Sequence, residues 1–237
     1  MSVASTQIDV VTLFPEMFQG FMGVSMMRRA VRMGAASIRT VDLRDFAQDA
    51  RKTADDRPYG GGPGMLMKPE PIFEAIEALR TPETHVVLMA PSGNRFDQAA
   101  ARRLACESHL VFLCGHYEGI DERVCESLVS EKLSIGDYVL TNGTLPAAVV
   151  IDAVVRLLPG VLGGGEEATR DESFTDNLLE YPQYTRPPEF RGMRVPEVLQ
   201  GGDHQEVAAW HREKALNLTK RVRPDLLARA GKTLKKT

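Results

Sequence analysis

Hydrophobic and polar positions along this chain fall into short apolar runs separated by helical stripes. Residues 8–13 are rich in β-branched side chains and predict a buried strand ending at Phe14-Pro15. Proline at the first position of 15–18 suits a short helix. Residues 25–33 predict a helix capped by Ser25 and stopped by Gly34, and 36–43 a second strand. Ile72, Phe73, Ile76 and Leu79 share one face of a helix over 70–79. Residues 85–90 and 109–114 read as further strands, with a turn at Pro91-Ser92-Gly93-Asn94 and a helix capped by Asp97 between them. The nearly unbroken apolar stretch 147–158 is long enough for a buried helix rather than a strand. Strands alternating with helices predict an α/β fold with a mostly parallel sheet.

The pattern changes in three places. Residues 44–67 form a long polar loop centred on Asp55-Asp56-Arg57-Pro58-Tyr59-Gly60-Gly61-Gly62-Pro63-Gly64-Met65, and a loop of this length inside a domain is usually functional or disordered. Gly163-Gly164-Gly165 and the charged residues after it read as a flexible linker. Beyond a turn-rich stretch at 178–188, the chain is helical from about Asp203. There Val207, Trp210 and Leu218 are expected core contacts, and Pro224 starts a last helix. The predicted organisation is an α/β domain over 1–160, a linker over 161–178 and a small all-helical domain over 179–237.

Parallel sheets bind ligands beyond the C-terminal ends of their strands. Loops 90–94, 115–121 and 136–143 all occupy that position. The third is Gly136-Asp137-Tyr138-Val139-Leu140-Thr141-Asn142-Gly143, in which two glycines let backbone approach a ligand closely while Val139 and Leu140 offer apolar walls. No Gly-x-Gly-x-x-Gly follows an early strand, and no Gly-x4-Gly-Lys-Ser/Thr occurs, so a nucleotide would be held in some other way.

Composition narrows the class. With 237 residues, 43% hydrophobic and 26% charged, the chain is an ordinary globular protein able to bury a full core. No apolar run approaches a membrane span and no signal peptide is evident, so a cytoplasmic location is expected. Cys106, Cys114 and Cys125 form no Cys-x-x-Cys pair, which argues against a disulfide framework or a zinc site. From residue 204 onward nine Lys/Arg face three Asp/Glu. That local balance of +6 in a chain of net charge −3 leaves −9 on the rest. A basic end on an acidic body points to a polyanionic partner, although a solvated helix face gives the same count.

Several blocks in order resemble the bacterial tRNA (guanine-N(1)-)-methyltransferases of the knotted methyltransferase superfamily. They are Thr12-Leu13-Phe14-Pro15-Glu16-Met17-Phe18, the 55–65 loop, 115–121 and 135–140. Asp152-Ala153-Val154-Val155-Arg156, Tyr184-Thr185-Arg186-Pro187 and, more loosely, 195–204 also match. The resemblance covers almost the whole chain. It implies a trefoil knot at the C-terminal end of the α/β domain, a homodimer with each active site built from both subunits, and S-adenosylmethionine held by the three loops. The implied product is 1-methylguanosine at the position 3′ to the anticodon of tRNA.

Carried over residue by residue, the resemblance assigns the cofactor to Leu88, Ala90, Pro91, Gly115, Tyr117, Glu118, Gly119, Ser134, Ile135, Gly136, Asp137, Tyr138, Val139, Leu140, Gly143 and Pro146. Asp56, Arg57, Tyr59, Gly60, Gly61, Gly62, Arg186, Lys214, Lys220 and Arg221 are the candidates for holding the anticodon stem-loop. Guanine N1 carries a proton near neutral pH, so the reaction calls for a carboxylate base near N1 and a cation near O6. Arg156 matches the family's arginine. The family's aspartate before Ser-Phe meets Asp171-Glu172-Ser173-Phe174 here, so either Asp171 or Glu172 is the base, with Asp171 ranked first. Mg²⁺ is a candidate second cofactor, but Thr144 stands where the family usually has an acidic residue. The alternatives are a non-catalytic RNA-binding dimer of the same fold, to which the altered linker spacing points, and a knotted methyltransferase acting on ribosomal RNA.

Overall fold

The computed structural model describes residues 5–163 and 172–233. The chain divides into two compact units, 1–165 and 166–237.

The first unit opens with β1 (Thr6–Thr12), a 3₁₀ turn over Pro15–Phe18 and α1 (Gln19–Met22). Next come α2 (Ser25–Arg32) and β2 (Ala36–Asp42). The polar loop contains the two-residue strands β3 (Asp55–Asp56) and β4 (Leu66–Met67), followed by α3 (Pro69–Leu79). Then follow β5 (Thr84–Arg95), α4 (Gln98–Leu104), β6 (His109–Cys114), α5 (Glu122–Ser127), β7 (Glu131–Ser134) and α6 (Thr144–Val155). Among the described residues the main sheet has the order β2-β1-β6-β5-β7, and all four pairings are parallel.

Side chains alternate across this sheet into two apolar layers. Ile8, Val10, Val87, Met89, Leu110 and Phe112 pack with Met27, Leu104, Val150 and Val154 on one face. Val11, Val86, Leu88, Val111 and Leu113 pack with Ile72, Ile76 and Val124 on the other. Covered on both faces, the central strand β6 is buried at all six positions, as its continuous apolar run requires.

The N-terminal ends of the strands are held by a polar network. Asp9 on β1 is wholly buried. Its carboxylate accepts hydrogen bonds from Arg39 on β2, from Nε2 of His109 on β6 at 2.8 Å and from Gln7 at 2.8 Å. Oγ1 of Thr84 on β5 lies 2.7 Å from Nδ1 of His109, so the network crosses four strands. Glu131 extends this bracing to β7, taking both guanidinium nitrogens of Arg103 and the imidazole of His85 within 2.9 Å.

The second unit was expected to be all helical. It contains α7 (His204–Val222) and α8 (Pro224–Thr233) but also a two-stranded ribbon, β8 (Glu189–Phe190) with β9 (Met193–Arg194). Arg191 and Gly192 both have positive φ, at 52° and 78°, which is the backbone a two-residue hairpin turn requires. α7 is capped by Asp203, whose carboxylate accepts the amides of Gln205 and Glu206. Ala215, Thr219 and Leu226 form the buried contacts. The expected Val207, Trp210 and Leu218 are only half-buried.

Other local expectations change as well. Ser25 does not cap α2: Val24 occupies the cap position and Ser25 itself sits at φ 48°. The strand from Thr84 resumes after its turn and runs to Arg95. α5 and β7 had no sequence signal, because both are short and largely polar.

Burial alone would raise the Asp9 pKa, but the hydrogen bonds from Arg39, His109 and Gln7 outweigh it and hold the carboxyl below the usual range. Stability from a depressed carboxyl is fully present above its unfolded pKa and is lost as pH falls through the lower folded value. Asp9→Asn is therefore expected to cost about 2 kcal/mol at neutral pH, since it removes the charged acceptor of the buried His109 imidazole while the exposed Arg39 guanidinium returns to water. Urea unfolding of both proteins from pH 7 down to pH 3 checks this, and the difference should narrow at the acid end.

Candidate functional site

At the opposite, C-terminal ends of the strands a cavity of about 390 Å³ opens among three loops. Each loop is held by backbone that comes too close for a side chain. In the first, Met89 and Asn94 both pair with Leu133, so 90–93 bulge out of the sheet. A Cβ on Gly93 would lie 2.4 Å from the Leu133 amide nitrogen. In the third, the Gly143 amide donates to the Gly115 carbonyl at 2.7 Å, and a Cβ there would meet Cys114 Cα at 2.9 Å. Asn142 pairs with His116 across the same crossing and accepts the Thr144 amide at 2.9 Å, starting α6. The Thr144 hydroxyl lies 3.1 Å from that of Thr12, tying the helix to the end of β1.

The middle loop, 115–121, is bound from the other side by the glycine-rich loop. Glu118 donates to Met65, Met67 to Gly119 and Asp121 to Met67, each at 3.0–3.1 Å. Gly64, at φ 85°, lies against the Glu118 side chain, where a Cβ would be 2.4 Å from Oε1.

Fifteen of the sixteen residues proposed from sequence for the cofactor line this one cavity: Leu88, Ala90, Pro91, Gly115, Tyr117, Glu118, Gly119, Ser134, Ile135, Gly136, Tyr138, Val139, Leu140, Gly143 and Pro146. Asp137 does not: it is exposed. Sequence reasoning missed Ser92, His116, Thr141 and Asn142, which sit within the very loops it singled out. It also missed Glu122, Cys125 and Lys132, which come from the unrecognised α5 and β7. Lys132 donates to Glu122 at 3.0 Å, so these two charges largely cancel at the wall.

The titratable groups here are shifted by burial. The Cys114 thiol is pushed up to about 12 by burial and stays a neutral packing group. Burial, followed by the nearby Arg44 charge, lowers His116 and keeps its ring neutral. Tyr117 is raised by burial and by the Asp55 carboxylate beside it. The His116 ring packs edge-on against Phe14 and Tyr117, at centroid distances of 5.0 and 4.3 Å.

The proposed catalytic residues divide. Arg156 is half-buried at the C-cap of α6, its amide donating to Asp152. Asp171 lies outside the described residues. Glu172 is half-buried, and its carbonyl accepts the Thr175 amide. Thr144 contributes a hydroxyl and no carboxylate, and among the described residues no group of three His, Cys, Asp or Glu side chains could hold a metal ion.

Of the residues proposed for RNA, Asp56 and Arg57 are exposed on the first unit, and Tyr59 is entirely so. Gly60, Gly61 and Gly62 follow at φ 84°, 76° and 122°, a backbone that glycine adopts without strain. On the second unit Arg186, Lys220 and Arg221 are exposed. Lys214 lies 5.7 Å over the Trp210 ring and 3.4 Å from Glu213. Beside it Tyr181 stacks flat on His211 at 3.5 Å, an aromatic pair that sequence spacing did not bring together. Among the described residues no helix is long and apolar enough to cross a membrane.

An α/β domain with a ligand-sized cavity beyond its strand ends, joined to a separate unit whose helical end from residue 204 is basic, is the class this geometry defines. Residues 6–229 match the family described as tRNA (Guanine-1)-methyltransferase TrmD, and the chain belongs to that family. Proteins named tRNA (guanine-N(1)-)-methyltransferase are similar over nearly their whole length. The one from Moorella thermoacetica is 53% identical over 95% of this chain and 91% of its own. That of Geobacter metallireducens is 55% identical over 94% and 92%, and that of Protochlamydia amoebophila 51% over 93% and 99%.

The close crossing at Gly93 sets an expectation. Gly93→Ala should destabilise the fold by about 2–3 kcal/mol, because backbone rather than a movable side chain blocks the methyl. Gly20→Ala, with nothing within 4 Å of its Cβ, should cost nothing. Thermal unfolding of both variants checks the contrast, with a fall in Tm of about 6 °C expected for Gly93→Ala alone.

Proposed function

We propose that this protein transfers the methyl group of S-adenosylmethionine to N1 of the guanosine 3′ to the anticodon in tRNA. The observation that carries this reading is the single cavity into which three sequence-distant loops converge, in a chain that matches the tRNA (Guanine-1)-methyltransferase family over residues 6–229. The cavity suits the donor chemically. Leu88, Ile135 and Leu140 offer apolar faces for a base, while Gly115, Gly119 and Gly136 leave backbone groups open to its edge. When bound, the donor supplies an electrophilic methyl group; the protein's part is to align it with the incoming nitrogen.

The nucleophile needs more help than the methyl. Asp171 or Glu172 takes the N1 proton as the guanine lone pair forms its new bond, and the Arg156 guanidinium stabilises the negative charge growing on O6. Asp171 remains first choice for the base. No step in this reading runs through Mg²⁺.

We also propose the trefoil knot. It is supported by the two crossings at Gly93 and Gly143, where chain passes chain without room for a side chain. A homodimer is supported by an apolar surface beside the cavity: Tyr138, Val139 and Leu140 on the loop, and Leu145 and Val149 one turn apart on α6, all with more than 40% of their area exposed. For RNA, Tyr59 is offered for stacking on a base, and Arg57, Arg186, Lys214, Lys220 and Arg221 for holding phosphates. A cytoplasmic location belongs to the same proposal, supported by the tRNA-modifying names of the relatives.

A single-turnover assay with labelled S-adenosylmethionine and two tRNA transcripts, carrying guanosine or adenosine after the anticodon, tests the reading. Label is expected only in the guanosine transcript, recovered as 1-methylguanosine. Binding of both ligands without transfer would overturn it in favour of a non-catalytic RNA-binding protein. In the same assay Arg156→Ala should slow transfer by about 10²–10³-fold with tRNA affinity kept. Asp171→Asn should lose more rate than Glu172→Gln, and the reverse order moves the base to Glu172. Replacing Lys214, Lys220 and Arg221 with alanine should flatten the dependence of tRNA affinity on salt; an unchanged slope would remove them from the interface.

A further inference from the structure

Two consecutive residues of the cavity wall break local rules. Tyr117 sits at φ 58°, a left-handed conformation that a bulky side chain adopts only when its surroundings impose it. His116 leaves its Nδ1 buried with no hydrogen-bonding partner. Nothing within 115–121 compensates for either. What holds the segment is the neighbouring strand β4.

Met67, the second residue of that strand, is wholly buried and meets the segment at three points. Its thioether accepts the His116 amide at 3.1 Å. Its own amide donates to the Gly119 carbonyl at 3.0 Å, and its carbonyl accepts the Asp121 amide at 3.1 Å. One turn back, Gly64 gives room to the Glu118 side chain. Asp55, paired with Met67 across the ribbon, stands beside the Tyr117 phenol.

We propose that Met67 is a positioning residue for the cofactor. It clamps His116, Tyr117 and Glu118 in the turn that forms the cavity wall, so the glycine-rich loop has two separate duties. Its inner edge, Asp55 with Gly64 to Met67, shapes the cofactor site; its tip, Tyr59 to Gly62, faces the RNA. This rests on the cavity being the S-adenosylmethionine site.

The sulfur is the separable part of the clamp. Leucine fills nearly the same volume and keeps the two backbone bonds, but offers the His116 amide no acceptor. Met67→Leu therefore releases one of three contacts at the strained turn and leaves the core filled.

The test measures S-adenosylmethionine and tRNA separately on the full chain, by Kd and by KM, with thermal unfolding as control. Met67→Leu is expected to raise Kd and KM for S-adenosylmethionine about fivefold, the effect of one lost hydrogen bond, while tRNA affinity and saturated kcat stay unchanged. Gly64→Ala should act in the same direction and more strongly, since it displaces Glu118. Tyr59→Ala should give the opposite split, weakening tRNA alone. Unchanged cofactor affinity in both Met67→Leu and Gly64→Ala, with unfolding still cooperative, would overturn the proposal. So would a parallel loss of both affinities that follows a lowered Tm, which would make Met67 a plain core residue. Failure of the wild-type protein itself to bind S-adenosylmethionine would instead overturn the assignment of the cavity, and this inference with it.

Discussion

Backbone passes backbone at Gly93 and at Gly143 with no space for even a methyl group, and the geometry of the cavity follows from those two crossings. The first presses 90–93 out of the sheet beside Leu133; the second fastens 136–143 onto Cys114 and Gly115. Three segments far apart in sequence are thereby brought to one place by close contact of backbone with backbone. Backbone bonds such as that of Gly143 to Gly115 are joined by a few from side chains, with Asn142 accepting the Thr144 amide and Ser134 bonding Gly136 inside its own loop.

The strands divide their work along their length. Their N-terminal ends carry the buried carboxylate of Asp9 with its partners from β2 and β6, Thr84 of β5 bonded in turn to His109, and the bidentate pairing of Arg103 with Glu131. Their C-terminal ends carry the glycines and the strained Tyr117. Satisfied polar groups lie at one end of the sheet, and unsatisfied or strained ones at the other. A segment such as 115–118 is tolerated because β4 on one side and Asn142 to Gly143 on the other determine its conformation.

Much of this was legible in the sequence, for physical reasons that can be named. β6 announced itself by an unbroken apolar run, β1 by its β-branched residues, and α6 by a run too long for a strand. The cavity-facing loops were found because strand ends in parallel sheets are where ligands bind, and the resemblance then supplied individual residues. α5 and β7 were invisible: Glu131-Lys132-Leu133-Ser134 is a strand only because β5 offers it an open edge. Glu122, Cys125 and Lys132 were missed with them. The Arg191-Gly192 turn carried a glycine signal that was overlooked beside the neighbouring prolines. Asp137 shares a loop with cavity-lining residues without lining the cavity itself, because loop membership does not say which way a side chain points. The clamp at Met67 could not have been read at all, since its three contacts lie about fifty residues away in the chain.

The pairing of Lys132 with Glu122 bears on how a ligand arrives. With those two charges cancelling, Glu118 is the charged side chain left on the cavity wall, and the buried carboxylate of Asp9 lies at the far end of the sheet. S-adenosylmethionine bears a sulfonium, an ammonium and a carboxylate, a single net positive charge, so one wall carboxylate would favour its approach only weakly and its association rate would fall gently with ionic strength. The basic end of the second unit, facing a polyanion, would respond far more steeply. One chain would then meet its two ligands under different physical regimes, and the cell's ionic milieu would tune capture of the nucleic acid far more than loading of the donor.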